Sequence, residues 1–171
     1  MKQIKQGFPP IADDRASILI LGSMPSEASL QKHEYYGHPR NAFWKIMASL
    51  FAFDPAASYA ERAQQLKDKH VAVWDVMQAC ERRGSLDSAI INSSISENDF
   101  VAFYRAHPNI RRVFFNGAKA EQEYRKRVLP NLSNDEDGRE YARLPSTSPA
   151  MASLSFDEKR LAWSSIKASL D

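Results

Sequence analysis

Residues 17–26, Ser-Ile-Leu-Ile-Leu-Gly-Ser-Met-Pro-Ser, decide the fold of this chain. Their apolar run does not alternate with polar residues, which is typical of a strand covered on both faces, as in a parallel sheet flanked by helices. The run stops at Gly22, where a tight polar turn follows. Ligands bind beyond the carboxyl ends of the strands in such sheets, so this turn is predicted to border a functional site.

A helix is predicted to begin near Asn41. The preceding residues 38–40, His-Pro-Arg, interrupt regular structure, and apolar residues then recur at helical spacing at Phe43, Ile46, Met47 and Leu50. The amino end of this helix would carry free N–H groups and partial positive charge, which suit an anion or a developing negative charge. On spacing alone, a capping role is the more common interpretation of an asparagine at this place.

Three further segments repeat the pattern of an apolar strand that ends at polar residues. They cover residues 71–74, 112–115 and, more weakly, 140–144, and they end at Asp75, at Asn116-Gly117 and at residues 145–150. Helical patterns separate them, so we predict a three-layer α/β/α sandwich around a central four-stranded, mainly parallel sheet. Residues 1–171 are interpreted as a single domain with an extended lead-in over 1–16. Residues 79–96 are poorly patterned and are predicted to be a long loop.

Composition limits the classes of protein that this chain can represent. A net charge of +2 and a pI near 8.7 permit nucleic-acid binding without demonstrating it. The single cysteine, Cys80, excludes an internal disulfide framework and agrees with a reducing cytoplasm. No apolar run reaches the roughly 18 residues of a membrane span.

Motifs that would support other chemistries are missing or wrongly spaced. In residues 33–38, His-Glu-Tyr-Tyr-Gly-His, three residues separate the glutamate from the second histidine, whereas the zinc-protease motif needs two. The phosphate loop, the dinucleotide-binding glycine motif and the serine-hydrolase elbow are not found in the sequence. We therefore expect no metal and no cofactor.

Two polar segments each allow a functional and a structural interpretation. Tyr35 and Tyr36 could form a flat stacking surface or could simply cover a sheet edge. The segment 146–148, Ser-Thr-Ser, lies between two prolines and offers small hydrogen-bond donors for phosphate contacts, but a plain strand-to-helix connection would look similar.

Together these residues carry a family resemblance. The segments 19–25 (Leu-Ile-Leu-Gly-Ser-Met-Pro), 35–44 (Tyr-Tyr-Gly-His-Pro-Arg-Asn-Ala-Phe-Trp) and 144–150 (Leu-Pro-Ser-Thr-Ser-Pro-Ala) resemble the uracil-DNA glycosylase superfamily. The branch they most resemble is that of the hypoxanthine-DNA glycosylases, with the mismatch-specific uracil and thymine DNA glycosylases as relatives. The resemblance implies a uracil-DNA glycosylase-like fold and a monofunctional enzyme that flips a deaminated base out of DNA and hydrolyses its N-glycosidic bond.

The resemblance also implies roles for individual residues. Mismatch-specific relatives carry a water-positioning asparagine in the first motif, which Ser23 and Met24 lack. The hypoxanthine branch also lacks an asparagine in the first motif, and its catalytic asparagine comes later in the chain, at the position of Asn41. Asn41 and Ser23 are therefore the catalytic candidates. The residues expected to bind the base are Gly22, Met24 and Pro25, as a pocket wall, and Tyr36, as a stacking aromatic.

DNA contacts are expected from the third motif and from one strand end. The candidates are Ser146, Thr147, Ser148, Asn116 and Lys119, although a plain helix-surface role is the commoner one for a lysine such as Lys119. Two positions depart from the family pattern. Ser26 stands where the family usually has glycine, and Ala150 aligns with an arginine of the mismatch-specific relatives, so we expect weak discrimination of the base opposite the lesion.

Alternative functions remain open at this point. The enzyme could be a G:T/U mismatch-specific uracil or thymine glycosylase, the chain could be a non-catalytic nucleic-acid-binding module, or the scaffold could carry a small-molecule hydrolase. The expected partner is DNA containing deaminated or mismatched bases. We expect a monomer in the cytoplasm, associated with the nucleoid and not with a membrane.

Overall fold

A computed structural model describes residues 3–133 and 138–170. The strands in these ranges are β1 (Ile4–Gln6), β2 (Ile18–Gly22), β3 (Val71–Asp75), β4 (Met77–Arg82), β5 (Ile90–Glu97), β6 (Arg112–Asn116) and β7 (Glu140–Leu144). The α-helices are α1 (Glu27–Lys32), α2 (Phe43–Phe51), α3 (Tyr59–Asp68), α4 (Phe100–Ala106), α5 (Ala118–Glu123) and α6 (Phe156–Ala168). No helix in the described ranges is long and apolar enough to span a membrane.

The predicted parallel sheet is confirmed. Its four strands lie in the order β3-β2-β6-β7, and all three pairings are parallel. Every residue of β2 and β3 is buried, as expected for strands covered on both faces. The registers pair Gly22 with Asp75 and Asn116 with Leu144, so the carboxyl ends of the strands meet at one edge of the sheet.

The long loop predicted over residues 79–96 is wrong. Strand β4 pairs with β5 in an antiparallel hairpin, and β1 pairs with the other side of β4 to complete a three-stranded sheet. Two register irregularities interrupt the pairing of β4 with β5. Because such bulges shift the alternation of inward and outward side chains, the hydrophobic pattern that identifies a strand is lost here.

The helices cover the parallel sheet and hold the loops at its carboxyl edge. Helix α6 begins at a capping box, in which Ser155 and Glu158 each accept a hydrogen bond from the other's backbone N–H. It packs on α2, where the rings of Phe43 and Trp163 meet edge to face at 6.0 Å. The polar stretch after β2 contains a helix that the sequence did not predict, α1. Ser26 caps it by accepting a hydrogen bond from the backbone N–H of Ser29 at 3.2 Å.

Candidate active site

A cleft of about 340 Å³ opens at the carboxyl edge of the parallel sheet. This volume falls in the range of roughly 300–1,000 Å³ that is usual for small-ligand sites. The lining combines all three motifs with a loop of the antiparallel sheet. The residues are Gly22, Ser23, Met24, Pro25, Ser26, Ser29, Tyr35, Tyr36, Asn41, Asp75, Ser85, Leu86, Asp87, Ser88, Asn116, Ser146, Thr147, Ser148, Ala150 and Met151.

Gly22 lets two side chains meet at the floor of this cleft. A Cβ atom on Gly22 would stand 2.5 Å from Asp75 Oδ1 and 2.9 Å from the Tyr36 hydroxyl oxygen. Neither distance is compatible with a side chain, so the absence of one at Gly22 is a steric requirement of the floor. Gly22 was predicted from the sequence to be part of the pocket wall, and the structure explains why this position needs a glycine.

Asp75 is the residue whose importance the sequence did not reveal. It ends β3, it is only 4% exposed, and its Oδ2 atom has no hydrogen-bond partner among the described residues. Burial raises the pKa of this carboxyl to about 7, and the negative charge of Asp87 adds to the rise while Arg82 opposes it. The sequence placed Asp75 at a strand end on the rim, but only the fold brings its carboxyl to the cleft floor.

Tyr35 and Tyr36 have different environments. Tyr35 is buried, and its hydroxyl donates to the backbone carbonyl of Pro9 at 2.9 Å, so it has a packing role even though it borders the cleft. Tyr36 has a positive φ of 56°, and its ring stacks on Phe43 with a centroid distance of 4.0 Å. Its hydroxyl is buried at the floor, and burial raises the pKa of that phenol well above its usual value.

Asn41 lies in the cleft at the start of α2. Its Oδ1 atom accepts a hydrogen bond from the backbone N–H of Phe43 at 3.0 Å, and its own backbone N–H donates to the carbonyl of His38 at 2.9 Å. The N-cap residue of α2 is Ala42, so Asn41 lies one position before the cap, and its side-chain oxygen satisfies the first N–H of the helix. This bond uses only the oxygen of the amide and leaves the Nδ2 hydrogens available to donate.

Thr147 ties three parts of the site together. Its backbone N–H donates to Asn116 Oδ1, its hydroxyl accepts from Asn116 Nδ2, and its carbonyl accepts from the N–H of Ala42, at 2.9, 2.9 and 3.0 Å. Thr147 is only 1% exposed. These bonds fix the third motif against β6 and the start of α2, so Thr147 and Asn116 act here as supports within the protein rather than as surface groups.

Ser146 and Ser148 remain partly exposed beside Thr147. Each hydroxyl oxygen accepts a backbone N–H two residues on: Ser146 accepts from Ser148, and Ser148 accepts from Ala150, both at 3.2 Å. Helix α6 holds the same loop, because Lys159 Nζ donates to the Ser148 carbonyl at 3.3 Å. The loop is thus rigid, and each serine keeps a hydroxyl hydrogen for a ligand.

The antiparallel sheet supplies the opposite rim of the cleft. Ser23 Oγ donates to Asp87 Oδ1 at 2.6 Å, and the hydroxyl of Ser85 accepts from the backbone N–H of Glu27 at 2.9 Å. Arg82 is fully buried and donates to the carbonyls of Pro25 and Gly84. These bonds clamp the residues after β2 to the loop between β4 and β5.

Two of the candidate residues, Met24 and Lys119, make their main contacts away from the cleft. Met24 borders the cleft but also belongs to a small apolar cluster with the antiparallel sheet, including Met77 and Cys80. Lys119 is outside the cleft. Its ammonium group lies 3.2 Å from Glu123 Oε1 and donates to Asn92 Oδ1 at 2.7 Å. A phosphate contact by Lys119 therefore stays a prediction without support from this geometry.

Comparisons with known proteins identify the relatives of this chain. Residues 9–167 match the family model of the uracil DNA glycosylase superfamily. A hypoxanthine DNA glycosylase from Methanosarcina barkeri is 42% identical over 117 residues, covering 68% of this chain and 73% of that protein. A hypoxanthine DNA glycosylase from Methanosarcina acetivorans is 39% identical over 139 residues, covering 76% of this chain and 87% of that protein.

A solved structure shows the same fold. The solution NMR structure of a protein from Methanosarcina acetivorans, described as a candidate uracil DNA glycosylase, superposes with a TM-score of 0.80 at 35% identity. The match covers 98% of this chain and 99% of that one. The chain belongs to the uracil DNA glycosylase superfamily. This confirms the family predicted from the sequence motifs, and with it a DNA N-glycosylase whose substrate is DNA.

Proposed function

We propose that this enzyme is a monofunctional DNA glycosylase that removes deaminated bases, with hypoxanthine as the main substrate and uracil and xanthine as further ones. The two curated relatives are named for hypoxanthine, and they match 39–42% of the aligned residues. The whole chain would act as one glycosylase domain and as a monomer, on DNA of the cytoplasmic nucleoid. A target base within the stack is inaccessible, so the enzyme would flip it into the cleft.

The reaction needs two kinds of help from the protein. The C1′–N bond breaks with its electron pair leaving on the base, while water adds to C1′ and its proton ends on the base. Positive charge builds on the sugar and negative charge on the base in the transition state. A group that orients water and a donor that faces the departing base each lower the barrier, because they are already in place.

The observation that carries the proposal is the geometry of Asn41. Its oxygen is held by the N–H of Phe43 at the positive end of α2, so the amide is fixed and its nitrogen can donate in the cleft. Ser23 is the second candidate, with its hydroxyl hydrogen bonded to Asp87 and its lone pairs left for water. No lysine is found among the described residues that line the cleft, which favours hydrolysis over a lysine-dependent lyase step.

DNA binding would use the rim formed by the third motif. Ser146 and Ser148 have hydroxyl hydrogens to donate to phosphate oxygens, and the fixed loop holds them in place. Thr147 and Asn116 would contribute by supporting this loop. Ala150 is exposed at the cleft and carries no group that could read the opposite strand, so weak discrimination of the opposing base is expected.

The test is alkaline cleavage of labelled duplexes that contain hypoxanthine, uracil, xanthine or thymine opposite each base. The wild-type protein should release hypoxanthine fastest, and Asn41→Ala should reduce the rate by at least about 100-fold. Thymine released from G:T pairs in preference to hypoxanthine would favour the mismatch-specific alternative. Binding to lesion DNA without any abasic product would favour the binding module.

A second variant separates catalysis from capping. Asn41→Asp keeps an oxygen that can accept from Phe43, so the melting temperature should stay close to that of the wild type. It removes the amide donor, so the excision rate should fall nearly as far as in Asn41→Ala. Asn109→Ala, a change of an exposed asparagine outside the cleft, is the matched control and should leave the rate unchanged. Full activity in Asn41→Asp would contradict a donor role for Asn41.

A further inference from the structure

Asp87 lies at the rim of the cleft, and its carboxylate contacts the first motif. Its Oδ1 atom accepts a hydrogen bond from the Ser23 hydroxyl at 2.6 Å, and both residues line the cleft. Hydrogen bonds from a hydroxyl to a carboxylate have lengths of about 2.5–2.7 Å and are roughly twice as strong as neutral ones. The hydroxyl hydrogen of Ser23 is therefore committed to Asp87, and this bond decides where the lone pairs of the serine oxygen point.

The loop that carries Asp87 is held in place on the protein. It joins β4 to β5, and the Ser85 hydroxyl in it accepts from the backbone N–H of Glu27 at 2.9 Å. The buried Arg82 donates to the carbonyl of Gly84 at 2.8 Å. Because these bonds fix the loop beside the residues that follow β2, the contact of Asp87 with the first motif is a stable part of the fold.

The carboxylate of Asp87 keeps its charge for the cleft. Among the described residues, no lysine, arginine or histidine forms an ion pair with it. Arg82, the buried cation of the same loop, donates to backbone carbonyls instead. Burial is the main cause of the raised pKa values of Asp75 and Tyr36 at the floor, and the negative charge of Asp87 adds to both. The field of this carboxylate therefore extends into the cleft.

The rim is the side of the cleft that faces the sugar of a flipped nucleotide. The base enters first, because the sugar stays joined to the DNA backbone at the mouth. Asp75 at the floor is only 4% exposed, whereas Asp87 is exposed at the rim. Positive charge builds on the sugar and negative charge on the base, so Asp87 lies nearer to the positive one. DNA bound over the mouth would exclude water and strengthen this attraction.

We propose that Asp87 is a positioning residue for hydrolysis, which orients the Ser23 hydroxyl so that its oxygen accepts a hydrogen bond from the attacking water, and whose negative charge stabilises the positive sugar. The inference rests on the proposed function and adds a residue to its mechanism. Asp87 gains and loses no proton in this role. The water oxygen bonds to C1′, the electron pair of the C1′–N bond leaves with the base, and the proton of the water ends on the base.

The experiment separates the rate of bond cleavage from the affinity for DNA. Single-turnover excision of hypoxanthine from a duplex is measured over a range of enzyme concentrations, which gives the maximal rate and the concentration for half of that rate. Asp87→Asn keeps an acceptor for Ser23 but removes the charge, so the maximal rate should fall about tenfold. Asp87→Ala removes the acceptor as well, and the maximal rate should fall about 100-fold.

The affinity should respond in the opposite sense or not at all. Asp87 carries negative charge toward the phosphates of the DNA, so its removal should leave the half-maximal concentration unchanged or lower it. Asp14→Asn makes the same change of charge at an exposed aspartate outside the cleft and should alter neither quantity.

A double-mutant cycle tests whether Asp87 acts through Ser23. In the Ser23→Ala protein the hydroxyl that Asp87 orients is gone, so adding Asp87→Ala should lower the maximal rate only about tenfold, through the loss of charge. Effects of the two changes that multiply fully would overturn the inference, because the residues would then act independently.

The remaining outcomes are equally decisive. A wild type that excises hypoxanthine while Asp87→Asn and Asp87→Ala keep its maximal rate overturns the inference and leaves the proposed function standing. A loss confined to the half-maximal concentration also overturns it, since Asp87 would then only bind DNA. If Asp87→Ala does not fold, as judged by circular dichroism, Asp87→Asn decides, because it keeps the shape of the side chain. A wild type that releases no base defeats the proposed function, and the inference with it.

Discussion

The parallel and antiparallel sheets meet along the cleft but build its two sides by different means. The parallel sheet supplies the floor, where Gly22 and Asp75 end two strands that are buried at every residue. The antiparallel sheet supplies a rim, and three side chains attach that rim to the residues after β2: Arg82 donates a hydrogen bond, and Ser85 and Asp87 each accept one. Backbone pairing thus positions the floor of the cleft, whereas side-chain hydrogen bonds position the rim.

The largest effect is expected from Gly22→Ala, which tests the floor. The new Cβ would collide with the Asp75 carboxylate and the Tyr36 hydroxyl. We expect a loss of about 1–3 kcal/mol in the free energy of unfolding and, because both groups must move, about 100-fold in excision rate. Chemical denaturation and single-turnover gels measure the two quantities. In Gly138→Ala a Cβ meets nothing within 4 Å, so this control should behave as the wild type.

A smaller effect is expected from Arg82→Met, which tests the rim. The change leaves the buried carbonyl of Pro25 and the half-buried carbonyl of Gly84 without their guanidinium donor, at a cost of about 2–3 kcal/mol in unfolding free energy. The excision rate should fall only about tenfold, because the change displaces no side chain of the floor, although it removes the charge that opposes the raised pKa of Asp75. Arg83→Met, at an exposed neighbouring position, is the control. A loss of rate as large as that of Gly22→Ala would show that rim and floor are one unit.

The third prediction concerns how the stability of the floor depends on pH through the carboxyl of Asp75. The pKa of Asp75 is raised by burial to about 7, so its stabilising contribution is complete below the unfolded pKa near 3.8 and is lost as the pH rises through 7. Asp75→Asn should therefore gain stability over the wild type between pH 5 and pH 8, on the order of 2 kcal/mol. Thermal unfolding at the two pH values measures this gain.

Glu123→Gln is the comparison for this experiment. Burial alone would raise the pKa of the Glu123 carboxyl, but hydrogen bonds from Arg127 and Lys119 lower it below its usual value. The stability that Glu123 provides is present above its unfolded pKa, so Glu123→Gln should lose stability at both pH 5 and pH 8. A gain at pH 8 in both variants would contradict the assignment of opposite environments to the two carboxyls.

The smallest effect is expected from Lys119→Ala, outside both the floor and the rim. Its ammonium group is occupied by Glu123 and Asn92, so we expect the affinity for a duplex to change less than about twofold and its salt dependence to stay the same. Binding measured by fluorescence anisotropy at several salt concentrations tests this. A decrease of about one in the salt slope would restore the phosphate contact that the sequence suggested.

The accuracy of the sequence-based prediction differed between the two sheets. Strand β2 and its parallel partners were predicted because short, continuous apolar runs that end at turn residues are typical of buried strands. Strands β4 and β5 were missed because bulges break their alternation and because residues 92–94 are the polar Asn-Ser-Ser. Helix α1 was missed as well, since its six residues are too few to show a helical period.

The candidate site was predicted unevenly for a similar reason. The motifs around Gly22, Asn41 and Ser146 were recognisable in the sequence, and the structure brings all three to one cleft. Asp75 was visible only as a polar residue after a strand, because neither its burial nor its contact with Gly22 has a local signal. Thr147 was interpreted as a surface donor, although its partners Asn116 and Ala42 are distant in sequence.

The sequence by itself determined the family, the parallel sheet and the edge at which the cleft forms, because apolar runs, turn residues and short motifs are local properties of the chain. Only the tertiary structure decided the strand order, the antiparallel rim, and which polar atoms are left buried without a partner. Those features depend on contacts between residues far apart in the chain. Burial and hydrogen-bond satisfaction are properties of the assembled whole, and no segment encodes them alone.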